Sequence, residues 1–470
     1  MKDNCGVFGI YSNEECVNDI YLGIDFLQHR GQQYCGISTM KNSQIKMITH
    51  RGRVGSTFNE HELLSLSSNI GIGHVSLKER QPIKLETKFG TFTSCFSGNI
   101  VNALELISDL KNRGHSFSTG TQIELISKII GEGDNIVDGI VKMSQKIQGS
   151  FSLVLLSKEG IYIARDPYGF RPLILGKGNG KYVAASESRA IESLDLEIER
   201  DVLPGEIILM NKEGFRSLKQ IPSPLIAYCA FEWAYVASID SKIDGIYVKE
   251  ARNNLGEMLA QRDEKEGGID ADSVAPVPMS GIGHALGYHK YSKIQYQNVF
   301  LYNRYADRSY TLATQEARDR MAKRKLSVIR EAACGKKIIL CDDSIVRGTQ
   351  IRDKVRDLKK AGAKEVHVRI ACPPLMHPCP YGISTRRYDE LIARSHIKDG
   401  EIDSFDKLKM LEKEVAKFIN ANSVKFNTLE DFIAAIGMPK QKLCLECWNG
   451  FSPINQRMCN CECGCSEKEN

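Results

Sequence analysis

The chain has 470 residues, enough for two or three domains that each bury a core. Its 63 Lys and Arg against 58 Asp and Glu leave a net charge of +5, spread along the whole length rather than gathered in a stripe or tail, which argues against nucleic acid as a partner. No apolar run approaches the roughly 18 residues of a membrane span, and MKDNCGVFGI is not a charged-then-apolar leader, so a cytoplasmic protein is expected.

Cys5 stands at the head of the first apolar run. Were the four residues before it removed, Cys5 would carry both a thiol nucleophile and an α-amino group whose pKa near neutrality suits it to act as base. From there to about residue 220 the sequence reads as short strands with turn signals: CGVFGIY, IGIGHVSL, GTFTSCFSGNI, GSFSLVLLSKEGIYIARDPYGFRPLILG, KYVAASES and LPGEIILM. Amphipathic stretches such as TQIELISKIIGEG interrupt them, which predicts an α+β unit of stacked antiparallel sheets. The prolines and serine of IPSPLIAY mark a boundary.

Strand and helix then alternate. KKIILCDDS predicts a strand, TQIRDKVRDLKKAG a helix with Ile351, Val355 and Leu358 on one face, and KEVHVRIA the next strand. Such a βαβ unit implies a parallel sheet with ligands at the carboxyl ends of its strands. In CDDSIVRGT (341–349) a turn with Gly348 leads into the helix, so backbone N–H groups point at a bound anion, naturally a phosphate. Asp342 and Asp343 could accept hydrogen bonds from ribose hydroxyls, directly or through Mg²⁺; they could equally be an acidic turn capping a helix. A charged, helix-prone stretch follows from about 400 to 440.

The 15 cysteines are too dilute for a secreted disulfide scaffold and raise the question of metal ligation. Cys16, Cys35, Cys95, Cys334, Cys341 and Cys372 lie in apolar or mixed segments and read as small buried hydrophobes. CLEC (444–447) has a chelate spacing that serves iron–sulfur, zinc and redox sites alike. The tail CNCECGC, with Cys459, Cys461, Cys463 and Cys465, could take up soft metals or be an ill-structured end with reactive thiols.

IILCDDSIVRGT and the flanking AGAKEVHVRIACPPLMHPCPYGIST resemble the glutamine phosphoribosylpyrophosphate amidotransferase family. The resemblance continues through AFEWAYVASIDSKIDGIYVKEAR, NRYADRS, IARDPYGFRPL, VAASES, PGEI and LQHRGQQYCGI, over about residues 5 to 450. It implies an α+β N-terminal nucleophile domain at 5–222, an αββα sandwich of antiparallel sheets acting as a type 2 glutamine amidotransferase. An α/β phosphoribosyltransferase domain with a parallel sheet at 223–440 and a cysteine-rich segment at 441–470 would follow. The implied activity converts phosphoribosyl pyrophosphate (PRPP) and glutamine, or ammonia, to 5-phosphoribosylamine, pyrophosphate and glutamate, the entry to purine synthesis. A divergent homologue without glutaminase activity, which binds PRPP or nucleotides as a regulatory or iron–sulfur sensing protein or uses another amine, is the alternative.

By this resemblance Cys5 is the nucleophile, and Ser344, Val346, Arg347, Gly348 and Thr349 belong to the turn that cradles the PRPP phosphate. Asp342 and Asp343 hold the ribose and, with Ser280, Mg²⁺; Arg304 and Arg308 close over the substrate. Cys229, Cys379, Cys444 and Cys447 would ligate a [4Fe–4S] cluster. Purine nucleotides as inhibitors and a homo-oligomer are further implied. Gly31 and Gln32 of HRGQ read as structural. Several positions depart from the family pattern. Met279 replaces an acid at the pyrophosphate loop, and Tyr302 replaces a basic residue before NRY. Ser76 stands where an arginine takes the glutamine carboxylate, Ser97 beside Gly98 where Asn-Gly builds the oxyanion hole, and Gly120 where an acid takes the α-ammonium. Losing one oxyanion donor costs on the order of 100- to 1000-fold in rate, so glutamine use is expected to be impaired.

Overall fold

Continuous apolar runs make strands buried on both faces, and the first half of the chain supplies two sheets of them. The computed structural model describes residues 5–223, 225–303, 326–382, 385, 387–397 and 401–454. In the first sheet of seven strands, Gly6–Ser12 lies in the middle, antiparallel to both Ile70–Ser76 and Lys181–Ala185. In the second sheet of six, the fully buried strand Gly149–Ser157 pairs with Gly90–Ile100 and Gly160–Arg165. Val7, Ile72, Val154 and Ile163 pack in the layer between the sheets. The helix Val17–Phe26 covers the outer face of the first sheet with Ile20 and Ile24, and Gln122–Gly131 and Ile136–Lys146 cover the second. The layering is α-β-β-α, as expected.

The second half folds around four parallel strands in the order Ser273–Pro276, Lys337–Asp342, Glu365–Ile370, Ser423–Phe426. The expected face of helix Thr349–Lys360 is realised, with Ile351, Val355 and Leu358 buried on the sheet. The stretch expected to be helical from 400 to 440 contains two helices, Phe405–Ile419 and Leu429–Ile436, with the last sheet strand between them. Asn420, at φ 56°, ends the first helix in a left-handed turn and frees SVKF to pair. A two-residue parallel bridge, Tyr228–Cys229 with Leu443–Cys444, ties the C-terminal segment to the body.

Among the described residues no helix is long and apolar enough to cross a membrane. Cys16, Cys35, Cys95, Cys341 and Cys372 are buried, but Cys334 is exposed, because it follows the short surface helix Arg330–Ala333 rather than lying within a strand. Arg304, Arg308 and the four tail cysteines lie outside the described residues.

Candidate functional sites

Asp342 is the last residue of a central parallel strand, and Asp343 and Ser344 begin the turn that follows. Ser280 reaches them from the loop after the neighbouring strand, and its Oγ donates to Asp342 Oδ1 at 2.6 Å. The Asp343 N–H donates to the same oxygen at 3.0 Å, and Ser344 Oγ donates to Asp343 Oδ1 at 2.6 Å. Both aspartates are buried. Burial raises both carboxyls above the usual range, and Asp342 raises that of Asp343 further. Lys354, one turn inside the following helix, and Arg252, on helix Val248–Lys265, pull the other way. Neither cation was anticipated from sequence; Lys354 follows the Gly348 turn by six residues on the same helix.

Gly348 caps that helix at φ +74°, where a Cβ would lie 2.8 Å from Ile392 and 3.0 Å from Phe418. Val346 is partly buried, its carbonyl accepting from the Ile392 N–H at 2.8 Å, and Arg347 pairs with Glu390. Met279, beside Ser280, is 70% exposed at φ +71°, where the family pattern has an acid. Tyr302 is exposed at the end of strand Phe300–Tyr302.

Cys5 precedes the central strand of the seven-stranded sheet and opens on a cavity of about 660 Å³. Leu77, Lys78, Glu79 and Gln81 line one side, Gly98, Asn99 and Gln122 another, and Cys379, Pro380, Tyr388 and Glu446 reach it from the C-terminal half. The residues expected to contact glutamine are mostly turned elsewhere. Ser97 Oγ donates to the Cys5 carbonyl at 2.7 Å, which positions the cysteine backbone rather than an oxyanion. Ser76 is fully buried, and its hydroxyl donates to the Glu79 carbonyl. Gly31 packs so closely that a Cβ would lie 2.4 Å from Ser76 Cα, which accounts for its glycine. Gly120 is exposed and does not line the cavity. Gly98 does. Lys78, Glu79 and Gln122 were missed because no motif marks them; the only signal was a charged pair in the turn after a strand end.

Cys229, Cys379, Cys444 and Cys447 share a second, small cavity walled by Phe170, Phe231, Tyr381 and Trp448, with Arg171 at its edge. Burial, opposed by Arg171, pushes the Cys229 thiol up to about 12. Burial together with Cys229 raises Cys444, and a hydrogen bond with Cys379 together with burial raises Cys447. The Tyr381 N–H donates to Cys379 Sγ at 3.4 Å. Among the described residues, no group of three or more His, Cys, Asp and Glu is arranged to hold a single metal ion.

A family model described as a glutamine amidotransferase domain matches residues 69–193. The chain is 36% identical to the amidophosphoribosyltransferase of Methanothermobacter thermautotrophicus, over 96% of this chain and 95% of that protein. It is 34% identical to the Bacillus subtilis amidophosphoribosyltransferase, over 96% and 94%. A solved structure of glutamine PRPP amidotransferase from B. subtilis, complexed with ADP and GMP, matches with a TM-score of 0.86 at 34% identity, over 96% of this chain and 97% of that one.

Proposed function

The chain belongs to the amidophosphoribosyltransferase family, and we propose that it makes 5-phosphoribosylamine from PRPP, with nitrogen from glutamine or ammonia. The observation that carries the reading is the Ser280, Asp342, Asp343 and Ser344 cluster at the carboxyl ends of adjacent parallel strands, next to the anion-ready turn at Gly348. At this site the bond from ribose C1 to the pyrophosphate oxygen breaks, its electron pair leaving on pyrophosphate. The ammonia lone pair then forms the C1–N bond and a proton is lost. The turn of Ser344, Val346, Arg347, Gly348 and Thr349 holds the 5-phosphate, and the acids hold the ribose hydroxyls, so catalysis is positioning and charge stabilisation.

At the other site the Cys5 thiol gives its proton to the α-amino group of a chain trimmed to Cys5, and Sγ adds to the glutamine side-chain amide carbon. The C–N bond breaks, the proton passes to the leaving nitrogen, and ammonia departs. Water hydrolyses the thioester to glutamate and restores the thiol.

The residues present fit two further groups. Ser280, Asp342 and Asp343 are packed oxygen donors, the two carboxyls buried so that their charge is disfavoured, and they would hold Mg²⁺, which neutralises pyrophosphate when bound. The four thiols around one apolar cavity, with an N–H aimed at Cys379 Sγ, suit a [4Fe–4S] cluster that would cross-link the C-terminal segment. A cytoplasmic homo-oligomer inhibited by purine nucleotides completes the proposal.

The test is pyrophosphate release from PRPP and Mg²⁺ by anaerobically purified protein with glutamine, an ammonium salt or no amine, with glutamate followed in parallel. Release with either donor is the expected result; release with neither overturns the reading. The hydroxyls of Ser76 and Ser97, both spent on backbone carbonyls, favour a second reading in which ammonia is the direct donor. Release with ammonium alone would select it.

A further inference from the structure

The Cys5 cavity contains a charge pair that no motif explains. Lys78 and Glu79 are adjacent residues in the turn after strand Ile70–Ser76, and both line the cavity that Cys5 opens on. Among the described residues, Lys78 is the one cation that lines the cavity. The other carboxylate there, Glu446, arrives from the C-terminal segment.

The turn is built to hold Glu79 in place beside Lys78. The Ser76 hydroxyl ties the strand end to the Glu79 carbonyl, closing the turn. Glu79 Oε1 accepts from the Gln122 N–H at 2.8 Å and Oε2 from the Ile123 N–H at 3.3 Å, so the carboxylate is seated on the N-terminus of helix Gln122–Gly131. A cation and an anion a residue apart, in a cavity with a thiol, match the carboxylate and ammonium of a free α-amino acid.

We propose that Lys78 and Glu79 are the specificity-determining clamp for the amino-acid head group, Lys78 taking the α-carboxylate and Glu79 the α-ammonium, so that the side-chain amide reaches Cys5. The inference rests on the reading of Cys5 as the nucleophile. Lysine offers a point charge rather than a planar fork, so the clamp holds its ligand more weakly than an arginine would.

The test compares two rates of Cys5 alkylation in protein whose chain begins at Cys5, verified by intact mass, with the labelling followed by peptide mass spectrometry. One reagent is 6-diazo-5-oxo-L-norleucine, which carries the zwitterionic head; the other is iodoacetamide, which does not. The ratio of the first rate constant to the second is expected to fall at least tenfold in both Lys78→Ala and Glu79→Gln, and to rise in Lys78→Arg. The glutamine variant keeps an oxygen for the helix N–H groups, so loss of the cap alone does not account for a fall. Ratios within twofold of the parent in Lys78→Ala and Glu79→Gln overturn the clamp. If the parent reacts with iodoacetamide but not with the diazoketone, the clamp fails while Cys5 stands as an accessible thiol. If Cys5 reacts with neither, the nucleophile reading fails and takes the clamp with it, whereas ammonia-dependent pyrophosphate release would still report on the PRPP site.

Discussion

Asp343 pays in stability for its place in the proposed PRPP site. Burial, and then the neighbouring Asp342, raise its folded pKa above that of the unfolded chain. A group shifted in that direction contributes stability in full below its unfolded value near 3.9 and loses it as pH rises through the higher folded value. The Asp343→Asn variant keeps an oxygen for the Ser344 hydroxyl but removes the charge. It is therefore expected to melt higher than the parent at pH 8, by a margin on the order of 1–2 kcal/mol that shrinks toward pH 5, while PRPP turnover falls at least a hundredfold. Thermal melts across that range check the sign; a gap that widens toward acid would refute it. The acids themselves could be read from CDDSIVRGT, since their types and their place at a strand end are sequence properties. The orientation of Ser76 and Ser97 could not: the resemblance implies substrate-contact positions for both, but their hydroxyls bond backbone carbonyls.

Elements depend on single backbone positions in the same way. Helix Thr349–Lys360 aims its N-terminus at the proposed phosphate only because Gly348 takes φ +74°. Gly348→Ala must strain that conformation and press a methyl against Ile392 and Phe418, at an expected cost of about 1–2 kcal/mol. A several-fold rise in the KM for PRPP, larger than the fall in kcat, is the kinetic expectation if the turn binds the ground-state phosphate as proposed. Unchanged KM would place the phosphate elsewhere. This helix was legible because Ile351, Val355 and Leu358 keep helical spacing and an obvious turn precedes them. Strand Ser423–Phe426 was hidden, since four residues between two helices carry too little alternation to register, and its place is set by pairing with Glu365–Ile370.

At the scale of the whole molecule, four short motifs legible only as separate signatures meet in one buried charge network. Arg30 of LQHRGQ, Arg171 of DPYGFRPL, Glu187 of VAASES and Glu232 of AFEW come from distant parts of the chain, and nothing in their spacing reveals that they pair. Glu232 Oε2 accepts from Arg30 Nη2 at 2.7 Å, and its Oε1 accepts from Arg171 Nη1 at 2.8 Å. Glu187 pairs with Arg30 and accepts at 2.7 Å from Ser241 Oγ, while burial opposes its charge and His29 and Arg30 hold its carboxyl well below the usual range. Arg171 also donates to the Tyr381 carbonyl at 3.1 Å, and Asn99 on the Cys5 cavity donates to the Pro380 carbonyl at 2.7 Å. The sandwich is thereby joined to the loop that lines both the Cys5 cavity and the four-cysteine cavity. Glu232→Gln sets an amide N–H₂ against one guanidinium and leaves a buried cation without its counter-charge, so a loss of about 3–5 kcal/mol is expected. If this network couples the two sites, the variant should release more glutamate per pyrophosphate than the parent, as ammonia escapes before it reaches PRPP. A lower melting temperature with an unchanged glutamate-to-pyrophosphate ratio would mean that the network holds the two halves together without governing the transfer between them.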